Sequence, residues 1–206
     1  MRFIFDLDET LLSGGYECEE SFFREQLGDS ANKFLKVLPR LLDQYENDYS
    51  RYDIKELSSF LTQNSKVLIT DDIIEGWIDA NMKMSDNIEN GAQEILEYLK
   101  SKKHSLVVLT NWFGNLQIER LKKAGLLEYF DKVYAGDEFV KPHKRAYFNA
   151  CGNFKAKDCI VIGDNLVKDY ITPRSLGLNA ILYDKEEKYE KKLNKIKSLY
   201  ELKDRY

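Results

Sequence analysis

The stretch Phe3-Ile4-Phe5-Asp6-Leu7-Asp8-Glu9-Thr10 constrains the fold of this chain more than any other. Phe3 to Phe5 are strand formers with no polar break, the pattern of a strand buried on both faces. The run ends abruptly in two carboxylates. Residues two apart project to the same side of a strand, and at its C-terminal tip the chain is already bending away. Asp6 and Asp8 are therefore expected to meet in one small space. Two like charges so close need a cation or a shared proton to be tolerated. A plain polar turn also uses Asp, Glu and Thr, so the motif gains weight only from what stands further along the chain.

Ser13-Gly14-Gly15 follows as a flexible break suited to a hinge. Beyond it the periodicity is helical. Phe34, Leu35, Leu38, Leu41, Leu42 and Tyr45 recur at three- and four-residue spacing, with Pro39 expected to kink or divide the run. Asp53 reads as the N-cap of a helix carrying Ile54, Leu57, Phe60 and Leu61. Thr70-Asp71-Asp72 opens another, with Ile73, Ile74, Trp77 and Ile78 on its apolar side. No strand alternation interrupts this region. Residues 14–87 are read as an inserted α-helical cap, with a second linker near Asp86 to Asn90, dividing a core made of 1–13 and 88–206.

After the insert, strands and helices alternate. Leu106 to Leu109 is a buried strand ending in Thr110-Asn111, and Lys132 to Ala135 is a weaker one. Cys159 to Ile162 runs into Gly163-Asp164-Asn165, and Ala180 to Tyr183 is the last strand. Helices are expected at 91–100, 116–123 and from Pro142 to Cys151, with Thr172-Pro173 as N-cap and first residue of a short one. The Lys/Glu-rich tail reads as a final helix docking Leu193, Ile196 and Leu199 or Tyr200. Such alternation implies an α/β fold, a parallel sheet covered on both sides, with ligands bound beyond the C-terminal ends of its strands.

Composition removes several classes of function. A net charge of −4 argues against a nucleic-acid polymer or an anionic membrane as partner. No apolar run reaches membrane-spanning length, and Asp6 interrupts any signal-like start, so a cytoplasmic protein is expected. Cys18, Cys151 and Cys159 lack zinc-site spacing, and His104 and His143 are the only histidines. Any metal would therefore be hard and oxygen-bound. Cys151 and Cys159 are expected to pack in the interior and His104 to lie at the surface. No pattern fixes an oligomeric state.

The strand ends carry the remaining chemistry. Asp6 and Asp8 stand at the first, Thr110 and Asn111 at the second, Lys141-Pro142 in the loop after the third, and Asp164, Asn165 and Asp169 at or behind the fourth. Each alone has an ordinary explanation as a cap, a surface charge or a turn. Their placement on one rim does not.

These motifs, Asp6-Leu7-Asp8-Glu9-Thr10, Leu109-Thr110-Asn111, Lys141-Pro142 and Gly163-Asp164-Asn165 through Asp169, resemble those of the haloacid dehalogenase-like (HAD) hydrolases over nearly the whole chain. The resemblance implies a Rossmann-like core of strand order 5-4-1-2-3 with a cap inserted after the first motif. It further implies Asp6 as nucleophile, forming an aspartyl-phosphate, and Asp8 as general acid and base. Mg²⁺ would be held by Asp6, Asp8 through its backbone carbonyl, and Asp164. Thr110, Asn111 and Lys141 would bind the phosphoryl group, with Thr110 and Lys141 counted among the catalytic residues and Asn165 and Asp169 in support. Glu9 stands where glycine is common in the family, and Trp112 is bulkier than the small residue expected after Asn111.

An alkoxide leaving group needs the proton that Asp8 can give, whereas dehalogenation does not. The favoured reading is thus a Mg²⁺-dependent phosphatase acting on a small-molecule phosphate monoester, a nucleotide or sugar phosphate. A sugar phosphomutase, a dehalogenase, and a non-catalytic binding module of the same fold are the alternatives. A phosphonatase would need a cap lysine, for which Lys33, Lys36, Lys55 and Lys66 are available. Tyr16, Phe22, Phe23, Arg24, Arg51 and Trp77 are candidate cap contacts, most of the aromatics being expected in the cap's own core.

Overall fold

Side chains alternate across the first strand, and that alternation organises the molecule. The computed structural model describes residues 1–14, 16–83 and 86–206, with the side chains of Tyr16 and Glu17 set aside. In strand β1 (Arg2–Phe5), Phe3 and Phe5 enter one hydrophobic cluster and Ile4 another on the opposite face. The same division holds for Leu106 and Val108 against Val107 and Leu109, and for Ile160 and Ile162 against Val161. These strands are apolar throughout because both faces are covered.

The chain runs from β1 through a two-residue β2 (Leu12–Ser13) into four helices, α1 (Tyr16–Leu27), α2 (Ala31–Asp48), α3 (Ile54–Ser65) and α4 (Asp71–Met82). It returns through β3 (Asn87–Ile88), which pairs antiparallel with β2. Then follow α5 (Ala92–Ser101), β4 (Ser105–Leu109), α6 (Gly114–Lys123), β5 (Lys132–Tyr134), α7 (Lys144–Cys151), β6 (Cys159–Gly163), α8 (Thr172–Ser175), β7 (Asn179–Tyr183) and β8 (Lys195–Ile196). The sheet order is β5-β4-β1-β6-β7-β8, every pair parallel. Counted along the chain, its first five strands stand in the expected order, with β1 central and β8 added beyond the fifth.

The helices between β2 and β3 have their own core, in which Phe23, Phe34, Tyr45, Leu61, Ile74 and Trp77 meet Phe113, Leu116 and Val140 from the rest of the chain. Asp53 caps α3 by accepting from the amides of Lys55 and Glu56, and Thr70 caps α4 by accepting from Ile73. Helix α2 runs undivided through Pro39. The small ribbon β2·β3, too short to alternate, gave no signal in the sequence.

Three local expectations are corrected. The tail is not a helix: Lys195–Ile196 extends the sheet, and a 3₁₀ turn from Leu199 to Asp204 follows behind a Ser198–Glu201 capping box. Helical propensity loses there to an open sheet edge that offers the tail backbone partners on β7. Ile196 and Leu199 are buried as expected, while Tyr200 is 38% exposed. Thr172 is not an N-cap, because a π-helical turn (Leu166–Ile171) capped by Asn165 runs straight into α8. His104 is half-buried, its ring 5.1 Å from that of Phe3. Cys151 and Cys159 are buried, and Cys18 is exposed. Among the described residues no helix is long and apolar enough to cross a membrane.

Candidate active site

The C-terminal tip of β1 ends beside those of β4 and β6, and this brings distant charges together. The Asp6 amide still donates to the Ile162 carbonyl at 2.8 Å, so Asp6 is fixed by the sheet itself. Lys141 Nζ lies 2.8 Å from Asp6 Oδ1 and 2.7 Å from Asp169 Oδ1, with all three side chains almost wholly shielded from solvent. Asp169 can approach because position 163 is glycine: a Cβ there would stand 2.4 Å from its carboxyl carbon. The other Asp169 oxygen accepts from the Asn165 amide at 3.1 Å. Lys141 is also held by its backbone, which exchanges two hydrogen bonds with the Asn111 side-chain amide at 2.8 and 3.0 Å.

One carboxylate oxygen each from Asp6, Asp164 and Asp169 lies within 4.8 Å of the others. Among the described residues Lys141 is the one cation paired with them, so two negative charges are left over. Burial pushes the Asp6 carboxyl well up, Asp169 adds to this, and Lys141 only partly opposes it. Asp164 is pushed up to about 6, again by burial and then by Asp169. Burial works against the charge on Lys141, but Asp169 and Asp6 outweigh it and hold its pKa above that of an ordinary lysine. An all-oxygen donor set with two charges in excess suits a hard divalent cation. Asp169 already serves Lys141 and Asn165, which leaves Asp6 and Asp164 as the freer carboxylates.

Asp8 points elsewhere, into a network that the sequence reading missed. Arg120 Nη1 donates to Asp8 Oδ1 at 2.6 Å, and Gln117 Nε2 donates to Oδ2 at 3.1 Å. Gln117 also donates to the Thr110 hydroxyl at 3.0 Å. The guanidinium of Arg120 meanwhile grips Asp86, whose side chain is only 6% exposed, with Nη2 to Oδ1 at 2.6 Å and Nε to Oδ2 at 3.0 Å. Burial opposes the charge on Arg120, but Asp86 and Asp8 more than restore it. The available signal was periodicity: Gln117 and Arg120 fall on the same helical face as the buried Leu116 and Leu121. Arg120→Met should cost about 3 kcal/mol of stability, because Asp86 would be left buried and unpaired. An unchanged urea midpoint for that variant would show the pairing to be dispensable.

The remaining sequence expectations divide. Thr110 is fully buried, and its hydroxyl donates to the Asn111 carbonyl at 3.1 Å. Asn165 is placed as a helix cap, accepting from the amides of Val167 and Lys168. Glu9 and Trp112 both have positive φ, 55° and 74°, a backbone conformation that glycine adopts without strain. Trp112 is held there by its ring contacts with Trp77 at 4.4 Å and Tyr52 at 4.9 Å. Phe23 and Trp77 belong to the helical core. Arg24 is spent on Glu20 and Asn32 at the surface, and Arg51 is exposed. Lys33, Lys36, Lys55 and Lys66 are all exposed, and the Tyr16 side chain lies outside the described residues.

Residues 1–177 match the family model of the haloacid dehalogenase-like hydrolases. A glyceraldehyde 3-phosphate phosphatase of Methanocaldococcus jannaschii is 24% identical over 86% of this chain and 82% of its own. The pyrimidine 5'-nucleotidase PynA of Streptococcus pneumoniae is 26% identical over 46% of this chain, and the match spans only 42% of PynA. Among solved structures, YfnB of Bacillus subtilis, bound to magnesium, superimposes with a TM-score of 0.71 at 20% identity, covering 98% of this chain and 96% of that one.

Proposed function

The chain belongs to the haloacid dehalogenase-like hydrolase family, and from that premise we propose that it is a cytoplasmic phosphatase of small phosphate monoesters, nucleotide or sugar phosphates. The observation that carries this reading is the buried Asp6–Lys141–Asp169 group with Asp164 beside it and Asp8 two residues from the nucleophile. A phosphate ester resists anionic attack because its own oxygens repel the nucleophile, so catalysis consists mainly of neutralising charge and aligning the attack.

Asp6 attacks phosphorus, the bond to the leaving oxygen breaks, and an aspartyl-phosphate forms. Asp8 gives the leaving oxygen its proton and then takes one from the water that hydrolyses the acyl phosphate. Before it can do so, Asp8 must release an oxygen from Arg120 or Gln117, since both oxygens are engaged. Lys141 sets the charge and direction of Asp6 and faces the phosphoryl oxygens; Thr110 would meet them by turning its hydroxyl away from the Asn111 carbonyl, and Asn111 would do so while its side-chain amide keeps the Lys141 backbone in place. Asp169 and Asn165 hold Lys141 and the loop behind it. Mg²⁺, held by Asp6, the Asp8 carbonyl and Asp164, would supply charge neutralisation on the phosphoryl group. Residues 14–87 act as a cap over this site, and residues 1–13 with 88–206 form the core that carries it.

Phosphate release from p-nitrophenyl phosphate, with Mg²⁺ and again after EDTA, tests the reading. Release that stops on chelation and returns with Mg²⁺ is expected. A folded protein that releases no phosphate, or one indifferent to EDTA, would overturn it.

A further inference from the structure

A cavity of about 260 Å³ lies between the inserted helices and the core, with Asp8 in its wall. The core contributes Trp112 and Arg120, and the helices contribute Glu19, Glu46 and Trp77. A group attached to the phosphate would sit there, since Asp8 is the residue that must reach the leaving oxygen.

Most charges in this wall are already satisfied. Arg120 serves Asp8 and Asp86. Glu46 accepts from Lys168 Nζ at 2.5 Å through one oxygen and from the Tyr52 hydroxyl at 2.7 Å through the other. Two groups remain. Glu19 receives one hydrogen bond, from the Trp77 indole nitrogen at 2.9 Å, and among the described residues no lysine or arginine pairs with it. The indole nitrogen of Trp112 has no partner among the described residues and is sealed off from solvent. The rings of Trp77 and Trp112 are 4.4 Å apart, so both indoles stand in the same wall as Glu19.

We propose that this cavity takes an uncharged, hydroxyl-bearing leaving group, a polyol or sugar, and discriminates against phosphate esters that carry a second anion. The inference rests on the phosphatase reading above and narrows its substrate class. A hydroxyl donates to the spare capacity of Glu19. A carboxylate or second phosphate instead faces Glu19 as a like charge, and among the described residues the wall's one cation, Arg120, is already held by Asp8 and Asp86. An anion brought out of water into such surroundings is strongly penalised. Glu19 is thereby the specificity-determining residue.

Trp77 and Trp112 are the chain's two tryptophans, so intrinsic fluorescence reports on this cavity whether or not turnover occurs. Glycerol 3-phosphate and 3-phosphoglycerate differ in the group under test. They are to be titrated in Mg²⁺ by stopped flow, before product accumulates, beside p-nitrophenyl phosphate turnover. Glycerol 3-phosphate should bind at least about tenfold more tightly in the wild type, and the gap should shrink several-fold in Glu19→Gln. Equal or tighter binding of 3-phosphoglycerate would overturn the proposal. So would a fluorescence signal indifferent to both compounds while p-nitrophenyl phosphate is hydrolysed, an outcome that leaves the phosphatase reading standing. The binding preference without any hydrolysis would support the cavity assignment and sink the phosphatase reading instead.

Discussion

Lys141→Met is expected both to abolish turnover and to destabilise the fold. The ammonium is buried between Asp6 and Asp169, 2.8 and 2.7 Å away. Methionine fills a similar volume but supplies no charge, so two carboxylates would stay buried without their cation. Breaking a buried pair from one side typically costs about 3–5 kcal/mol. A drop of that size should appear as an earlier urea transition in metal-free protein. Phosphate release should fall by three orders of magnitude or more, roughly what loss of a charge aimed at a developing phosphoryl anion removes. Lys141→Arg should not rescue activity, because the planar guanidinium cannot replace a compact ammonium in so tight a space. An active Lys141→Met protein of normal stability would contradict the site's electrostatic design.

Asp6→Asn should behave in the opposite way with respect to stability. Burial, Asp169 and Asp164 all disfavour the charged form of Asp6, and Lys141 offsets them only in part. In metal-free protein a carboxyl whose folded pKa is raised contributes stability below its unfolded pKa and loses it as pH rises through the folded one. Asp164 follows the same rule, with a window from its ordinary 3.8 to about 6. At neutral pH the Asp6 charge is therefore a burden on the fold. A neutral amide of the same shape relieves that repulsion while leaving Lys141 paired with Asp169. The variant should unfold no earlier than the wild type at neutral and alkaline pH, and should lose turnover by a factor on the order of 10³ or more. Such a trade of stability against activity is common at catalytic residues. Marked destabilisation would show that Asp6 holds the fold together and that its charge is fully compensated.

The contrast between what was and was not readable in the chain follows from range. Buried parallel strands are nearly continuous apolar runs, so Phe3–Phe5, Leu106–Leu109 and Cys159–Ile162 announced themselves, and each delivered its polar residues to the same rim. Caps such as Asp53 and Thr70 are equally local. The tail misled because its Lys/Glu content is helical in isolation, while its conformation is decided by the free edge of β7. The Asp8–Arg120–Asp86 link was invisible for a different reason. Its members lie 112 and 34 residues apart, on a strand tip, a helix and a linker, and only the fold gives them a common centre. Glu19 and Trp112 are of the same kind: nothing in their neighbours along the chain marks them as facing one cavity.

The proposed mechanism rests on Asp6 carrying the phosphoryl group between substrate and water. It is tested most directly by quenching the Mg²⁺ reaction in acid during turnover and weighing the peptide that contains residue 6. One phosphoryl group on Asp6, labile to base, is expected, and none in Asp6→Asn. Phosphate release that continues undiminished in Asp6→Asn, with no phosphoryl group ever found on this peptide, would contradict it.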